Sequence, residues 1–138
     1  MKNLLVGELD GLTLIISQNE PVLNVKRILK EKKHKERTSE LTYYTDGRGE
    51  KTRLLLGGEK IDSKTLWIDG RLVSTFTVTE YISASSEFYL RDYTESWELS
   101  EDGKVLTITT EIAVRNVPHF YRNIFTPETY RRVFRKAQ

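Results

Sequence analysis

Apolar and polar side chains alternate along most of the chain, and short turn signals separate the alternating segments. In one such segment Leu72, Phe76 and Val78 share a face, while Thr75 and Thr77 occupy the other. Alternation with a period of two is typical of a β-strand that has one buried face. The pattern predicts about eight such strands between residues 12 and 135.

Asp-Gly pairs stand at three of the breaks, at Asp46-Gly47, Asp69-Gly70 and Asp102-Gly103. These residues tolerate the positive φ that hairpin turns require, so we expect each strand to pair with the next. A meander leaves two unpaired edges unless it closes on itself. The sequence therefore predicts an all-β, antiparallel up-and-down meander closing into a barrel, as one domain over residues 1–138.

Two places complicate this pattern. The apolar face is even-numbered at Phe88 and Leu90 but odd-numbered from Tyr93 onward, which predicts a β-bulge near Arg91-Asp92. Residues 26–37 and 126–136 also fit helices, although strands are the favoured interpretation.

The register of the strands selects the side chains that face the barrel interior. It turns Arg27 and Glu95 inward, where an isolated charge is costly unless it is paired or hydrated. Two interpretations stay open: a pocket with a cationic anchor for a polar-headed apolar ligand, or a structural ion pair in a filled barrel. The predicted ligand-binding residues are Arg27, Tyr43, Trp67, Phe76, Glu95 and Trp97.

Residues 116–127 form a long loop before the last strand, and Phe120, Tyr121 and Phe125 lie in it. Tyrosine and other aromatic residues are typical interface anchors. The loop is interpreted as a lid over the barrel mouth, as a homodimer contact or as a plug against one barrel end.

Composition narrows the classes of function. The 138 residues carry 22 Lys+Arg and 20 Asp+Glu, no Cys and two His, and the balance is typical of a folded soluble domain. The basic run at residues 26–37 has no aromatic residue for base stacking, so we expect a solvated hairpin tip and no nucleic-acid partner. No apolar run is long enough for a membrane span. No nucleophile, metal or phosphate motif is present, and we expect no cofactor.

Several segments together resemble the lipocalin-like bacterial proteins of unassigned function, which are often exported. The segments that carry the resemblance are residues 12–16, 23–27, 41–47, 67–73, 95–108 and 130–134. The resemblance implies a lipocalin-like barrel, and it concerns turns and strands more than activity. Such proteins usually carry a further strand upstream of these segments, and in this sequence only residues 1–8 are available for it. A chain that starts at Met1 is expected in the cytoplasm, and one trimmed of a signal peptide is expected outside it.

From these observations we expect a non-catalytic protein that holds a small, largely apolar ligand in the barrel interior. The alternative is an interaction or dimerisation module that uses the loop at 116–127 and exposed strand edges. An enzyme is the least favoured class, because no residue set specifies a reaction.

Overall fold

The computed structural model describes residues 2–30, 35–52, 61–82, 86–119 and 127–136, and for residues 2–6 it describes the backbone only. The described chain is all-β, with ten strands and no α-helix in these ranges. The strands are β1 Lys2–Leu9, β2 Leu12–Asn19, β3 Val22–Leu29, β4 Arg37–Tyr44, β5 Glu50–Thr52, β6 Ile61–Ile68, β7 Arg71–Tyr81, β8 Phe88–Leu99, β9 Val105–Arg115 and β10 Glu128–Lys136.

All ten strands belong to one antiparallel sheet with the order β4-β3-β2-β1-β10-β9-β8-β7-β6-β5. The two outer strands of this order meet, because β4 packs against β5 and β6 and the sheet curls into a nearly closed barrel. Across this seam the backbone N–H of Gly47 donates to the carbonyl of Thr65 at 3.0 Å. The Tyr44 N–H donates to the Glu50 carboxylate at 2.9 Å. The predicted barrel meander is confirmed, with ten strands instead of about eight.

The strand that the sequence reasoning did not count is β1, which lies between β2 and β10 and joins the two ends of the chain. Leu9 is paired with Leu12 across a two-residue turn. Asp10 and Gly11 in that turn have φ values of 46° and 81°. This is the Asp-Gly hairpin signal found elsewhere in the chain, and it was the clue to β1. Residues 2–9 thus form a strand of the barrel sheet.

The bulge predicted near Arg91-Asp92 is wrong. Strand β8 keeps one unbroken register with both neighbours from end to end. Phe88 lies instead on the outer face, 47% exposed, with its ring centroid 6.1 Å from that of Tyr81 on β7. The apparent change of face arose because Phe88 and Leu90, which face outward in this register, were taken for core.

The helical alternatives at residues 26–37 and 126–136 are also wrong, because residues 26–29 lie in β3, Arg37 begins β4 and residues 128–136 form β10. No helix in the described ranges has the length and apolar character needed to span a membrane.

The main core fills the barrel between two facing walls. One wall is built by β2, β3 and β4, and the other by β7 to β10. The buried core residues are Leu12, Leu14, Ile16, Leu23, Val25, Leu41, Tyr43, Leu72, Trp97, Leu106, Ile108 and Phe134. Tyr43 and Trp97 meet edge to face, with centroids 5.7 Å apart, so the two walls are in direct contact.

Candidate ligand site

A row of polar side chains crosses the inner face of four neighbouring strands. Thr65 on β6 is paired with Ser74 on β7, Ser74 with Glu95 on β8, and Glu95 with Thr110 on β9. All four are buried, with exposures of 0 to 6%. The Thr65 hydroxyl donates to Ser74 Oγ at 3.2 Å, which satisfies both groups locally. We refer to these four residues as the polar row.

Glu95 forms its ion pair with a residue outside the polar row. Arg132 Nη2 on β10 lies 3.3 Å from Glu95 Oε2, and the Thr110 hydroxyl donates to the same oxygen at 3.5 Å. Burial nevertheless raises the pKa of Glu95, and the favourable effects of Arg132, Thr110 and Arg27 only oppose that shift. The side chains of this pair are 15% and 7% exposed, so the charges interact away from bulk water.

Arg27 and Tyr43 lie on the facing wall. Arg27 is 5% exposed, and its Nε donates to Ser39 Oγ at 3.3 Å. The Tyr43 hydroxyl is 2.9 Å from Thr52 Oγ1 on β5. Burial raises the pKa of Tyr43, so its hydroxyl stays protonated at neutral pH. The register prediction is thus correct for Arg27, Tyr43 and Glu95: each is buried inside the barrel.

The cleft nearest to this interior opens at one barrel mouth and has a volume of about 230 Å³. Its walls come from both sides of the barrel and are mostly apolar. The lining residues are Ile16, Gln18, Leu23, Trp67, Gly70, Leu72, Trp97, Leu99 and Leu106. Trp97 belongs both to this lining and to the core below, so its ring connects the cleft with the packed interior. We call this space the Trp97 cleft.

Trp67 lies at the rim of the cleft and not in the interior, because its side chain is 45% exposed. Its indole N–H donates to Glu20 at 3.0 Å. The Glu20 carboxylate also accepts hydrogen bonds from Thr45 and Gln18. The bond from Thr45 contributes most to the lowered pKa of Glu20, which keeps this acceptor charged near neutral pH. The rim indole is therefore already anchored.

Phe76, the sixth predicted ligand-binding residue, belongs to a different part of the barrel. Its ring stacks on Tyr93 at 4.8 Å in a small second core cluster with Ile112. Phe76 and Tyr93 border a wider depression of about 960 Å³ whose lining includes several charged residues. Phe120, Tyr121 and Phe125, predicted as lid or interface, lie outside the described residues.

Two buried hydrogen-bond donors, Trp97 Nε1 and Arg132 Nε, have no partner within the described ranges. They come from neighbouring positions, because Trp97 and Arg132 are both paired with Ile108, one from each side. Both unpaired atoms are N–H groups, so the interior near Ile108 has surplus donors.

Arg132 is the site residue that sequence reasoning missed: the last strand was predicted to include it, but no inward face was assigned to its side chain. The signal was alternation: Tyr130, Arg132 and Phe134 occur at a period of two, and Phe134 is fully buried. That pattern indicated an inward face for Arg132 as well.

The part of the chain that the structure describes holds no group of three or more His, Cys, Asp or Glu residues arranged to bind a metal ion. No protein-family model, curated protein or solved structure matches the chain. The resemblance to lipocalin-like bacterial proteins therefore stays a prediction from the sequence segments quoted above.

Proposed function

We propose that this chain is a non-catalytic binding protein that holds a small, largely apolar ligand in the Trp97 cleft at the mouth of the barrel. The observation that carries the proposal is the cleft itself. Two facing walls of the barrel contribute Leu23, Leu72, Leu106 and both tryptophans to one concave surface. Apolar concave sites with a few polar groups are the usual form of small-molecule sites.

The size of the cleft limits the ligand. A volume of about 230 Å³ is slightly below the roughly 300–1,000 Å³ range of ligand pockets. Beneath the cleft, Leu14 and Val25 are fully buried in the main core. The ligand is therefore a small molecule, about the size of a substituted benzene, that binds above Trp97 and not through the whole barrel.

The experiment uses toluene as the probe, because it is small and has no polar group. Calorimetric titration of the full chain is expected to give saturable binding with one site. Leu99→Trp places an indole at the rim of the cleft, where Leu99 is 38% exposed. It is expected to weaken toluene binding about tenfold or more, because the larger ring occupies space that toluene needs.

The matched control is Ile68→Trp, which adds the same ring at a residue 48% exposed that does not line the cleft. This variant is expected to bind toluene as the original chain does. Absence of toluene binding to the original chain, or equal weakening by both variants, would contradict the proposal.

A second function, protein–protein interaction, has one supporting observation. Tyr81 is 73% exposed beside Phe88 at the end of the β7–β8 hairpin, and exposed aromatic residues are typical interface anchors. Sedimentation analysis distinguishes the two functions: a homodimer that dissociates on Tyr81→Ser substitution favours the interaction module.

A further inference from the structure

We infer that the ligand of the Trp97 cleft carries a cationic head group, such as an ammonium, that binds at the cleft rim beside the Glu20 carboxylate and the indole ring of Trp67. This inference rests on the proposed function and adds the chemical class of the ligand. The apolar part of such a ligand occupies the cleft. Its charged end stays at the rim, where it remains hydrated and avoids the cost of burying an ion.

Glu20 is an exposed carboxylate beside the cleft. It lies in the turn between β2 and β3, and its Oε1 accepts hydrogen bonds from the side chains of Gln18 and Trp67. Both of those side chains line the cleft. The carboxylate is therefore at hydrogen-bond distance from the cleft wall, and because it is exposed, a ligand at the mouth reaches it from the solvent.

The negative charge of Glu20 is held in place but not neutralised by its partners. Its hydrogen-bond donors Thr45, Gln18 and Trp67 are all uncharged. The bond from Thr45 is the largest cause of its lowered pKa, and the charged neighbour that affects this pKa, Asp46, is another carboxylate. None of the described residues that line the cleft is basic. A cation that enters the mouth is therefore attracted by this carboxylate, and an anion is repelled.

Trp67 is the second feature that favours a cation. Its side chain is 45% exposed, and its N–H donates to Glu20, so the indole is held at the rim with part of its surface open. The face of an indole attracts a cation that lies within about 6 Å of the ring centroid. By contrast Arg27, the cationic anchor in one interpretation of the sequence, is 5% exposed and is not among the lining residues.

The test compares toluene with two charged probes built on the same ring, benzylammonium and benzoate, by calorimetric titration at pH 7. At an ionic strength of about 0.01 M, benzylammonium is expected to bind about tenfold more tightly than benzoate, because one charge is attracted at the rim and the other repelled. Exposed charges are screened by salt, so this preference is expected to shrink at about 1 M sodium chloride.

A charge-removing variant locates the contact. Glu20→Gln keeps a side-chain oxygen to accept the Trp67 N–H but removes the charge, and it is expected to reduce the preference for benzylammonium to about threefold or less. The matched control is Glu40→Gln, which removes the same charge from an exposed residue of β4 that is paired with Lys26. Glu40 does not line the cleft, so this control is expected to keep the tenfold preference.

The outcomes separate this inference from the proposed function. If toluene does not bind the original chain, the proposed function is wrong and the inference is wrong with it. If toluene binds but benzylammonium is no tighter than benzoate, or if folded Glu20→Gln keeps the full preference, the inference alone is overturned. Equal losses in the two variants would also overturn it, because they would come from net charge and not from a contact at the rim. Urea unfolding of both variants confirms that each preference is measured on folded protein.

Discussion

Two adjacent rows of the same strands have opposite chemistry. The polar row contains Ser74, Glu95 and Thr110, and the apolar row of Leu72, Trp97 and Ile108 lies two positions away on the same three strands. Both rows face inward and both are buried, at 6% exposure or less. Strand register thus decides which side chains are inside, and residue chemistry decides whether an inward row packs by contact or by hydrogen bonds. The Trp97 cleft lies where the apolar row reaches the barrel mouth.

The apolar row is expected to contribute most to stability. Ile108→Ala removes a side chain with 0% exposure, and such truncations cost about 2–5 kcal/mol in the free energy of unfolding. Thr109→Ala, on the outer face of the same strand, is expected to cost less than about 1 kcal/mol. Urea unfolding measures both. Similar losses for the two variants would mean that Ile108 is not in a packed core.

The polar row is expected to depend on the pairing of its charge. Arg132→Met removes the cation 3.3 Å from Glu95 and is expected to cost about 3 kcal/mol at pH 7, because a buried carboxylate is left without its counter-ion. Adding Glu95→Gln to that variant is expected to restore most of the loss, since neither charge then remains. If the double variant is no more stable than Arg132→Met, the ion pair is not the cause.

The two regions are also expected to differ in their response to pH. The pKa of Glu95 is raised above its ordinary 4.5, so the folded state binds this proton more tightly than the unfolded chain. Its contribution to stability is fully present below pH 4.5 and is lost as the pH rises through the folded-state pKa. Glu20 at the rim of the cleft has a lowered pKa, so its contribution to stability has the opposite pH dependence. That contribution is present above pH 4.5 and is lost as the pH falls through the folded-state pKa.

The difference in unfolding free energy between the original chain and Glu95→Gln isolates the first effect. We expect the original chain to lose stability relative to Glu95→Gln as the pH rises from 4.5. A difference that stays constant with pH would contradict a buried carboxylate at position 95.

Much of this arrangement was predictable from alternation alone. The inward faces of Arg27, Tyr43, Glu95 and Trp97 follow from a period of two, and the Asp69-Gly70 turn follows from its residue types, with φ values of 49° and 77°. Register is well specified by such patterns because a slip by one residue would turn the whole apolar set outward.

The remaining features depend on long-range geometry that a local pattern does not contain. Trp67 occupies an inward-facing position by alternation, yet it is the penultimate residue of β6, where its side chain lies at the rim and donates to Glu20, 47 residues away in the sequence. The ion-pair partner of Glu95 is Arg132 on β10. The two residues are close because only β9 lies between β8 and β10 in the sheet. Whether inward side chains fill the barrel or leave a cleft depends on how two facing walls meet.

The most direct test of the proposed site is to locate a bound probe. Isotope-filtered nuclear Overhauser measurements with toluene are expected to show contacts to Leu72, Trp97 and Leu106, which line the cleft. Contacts confined to exposed residues such as Leu66, Ile68 or Tyr81 would place the probe on the outer surface and contradict the account.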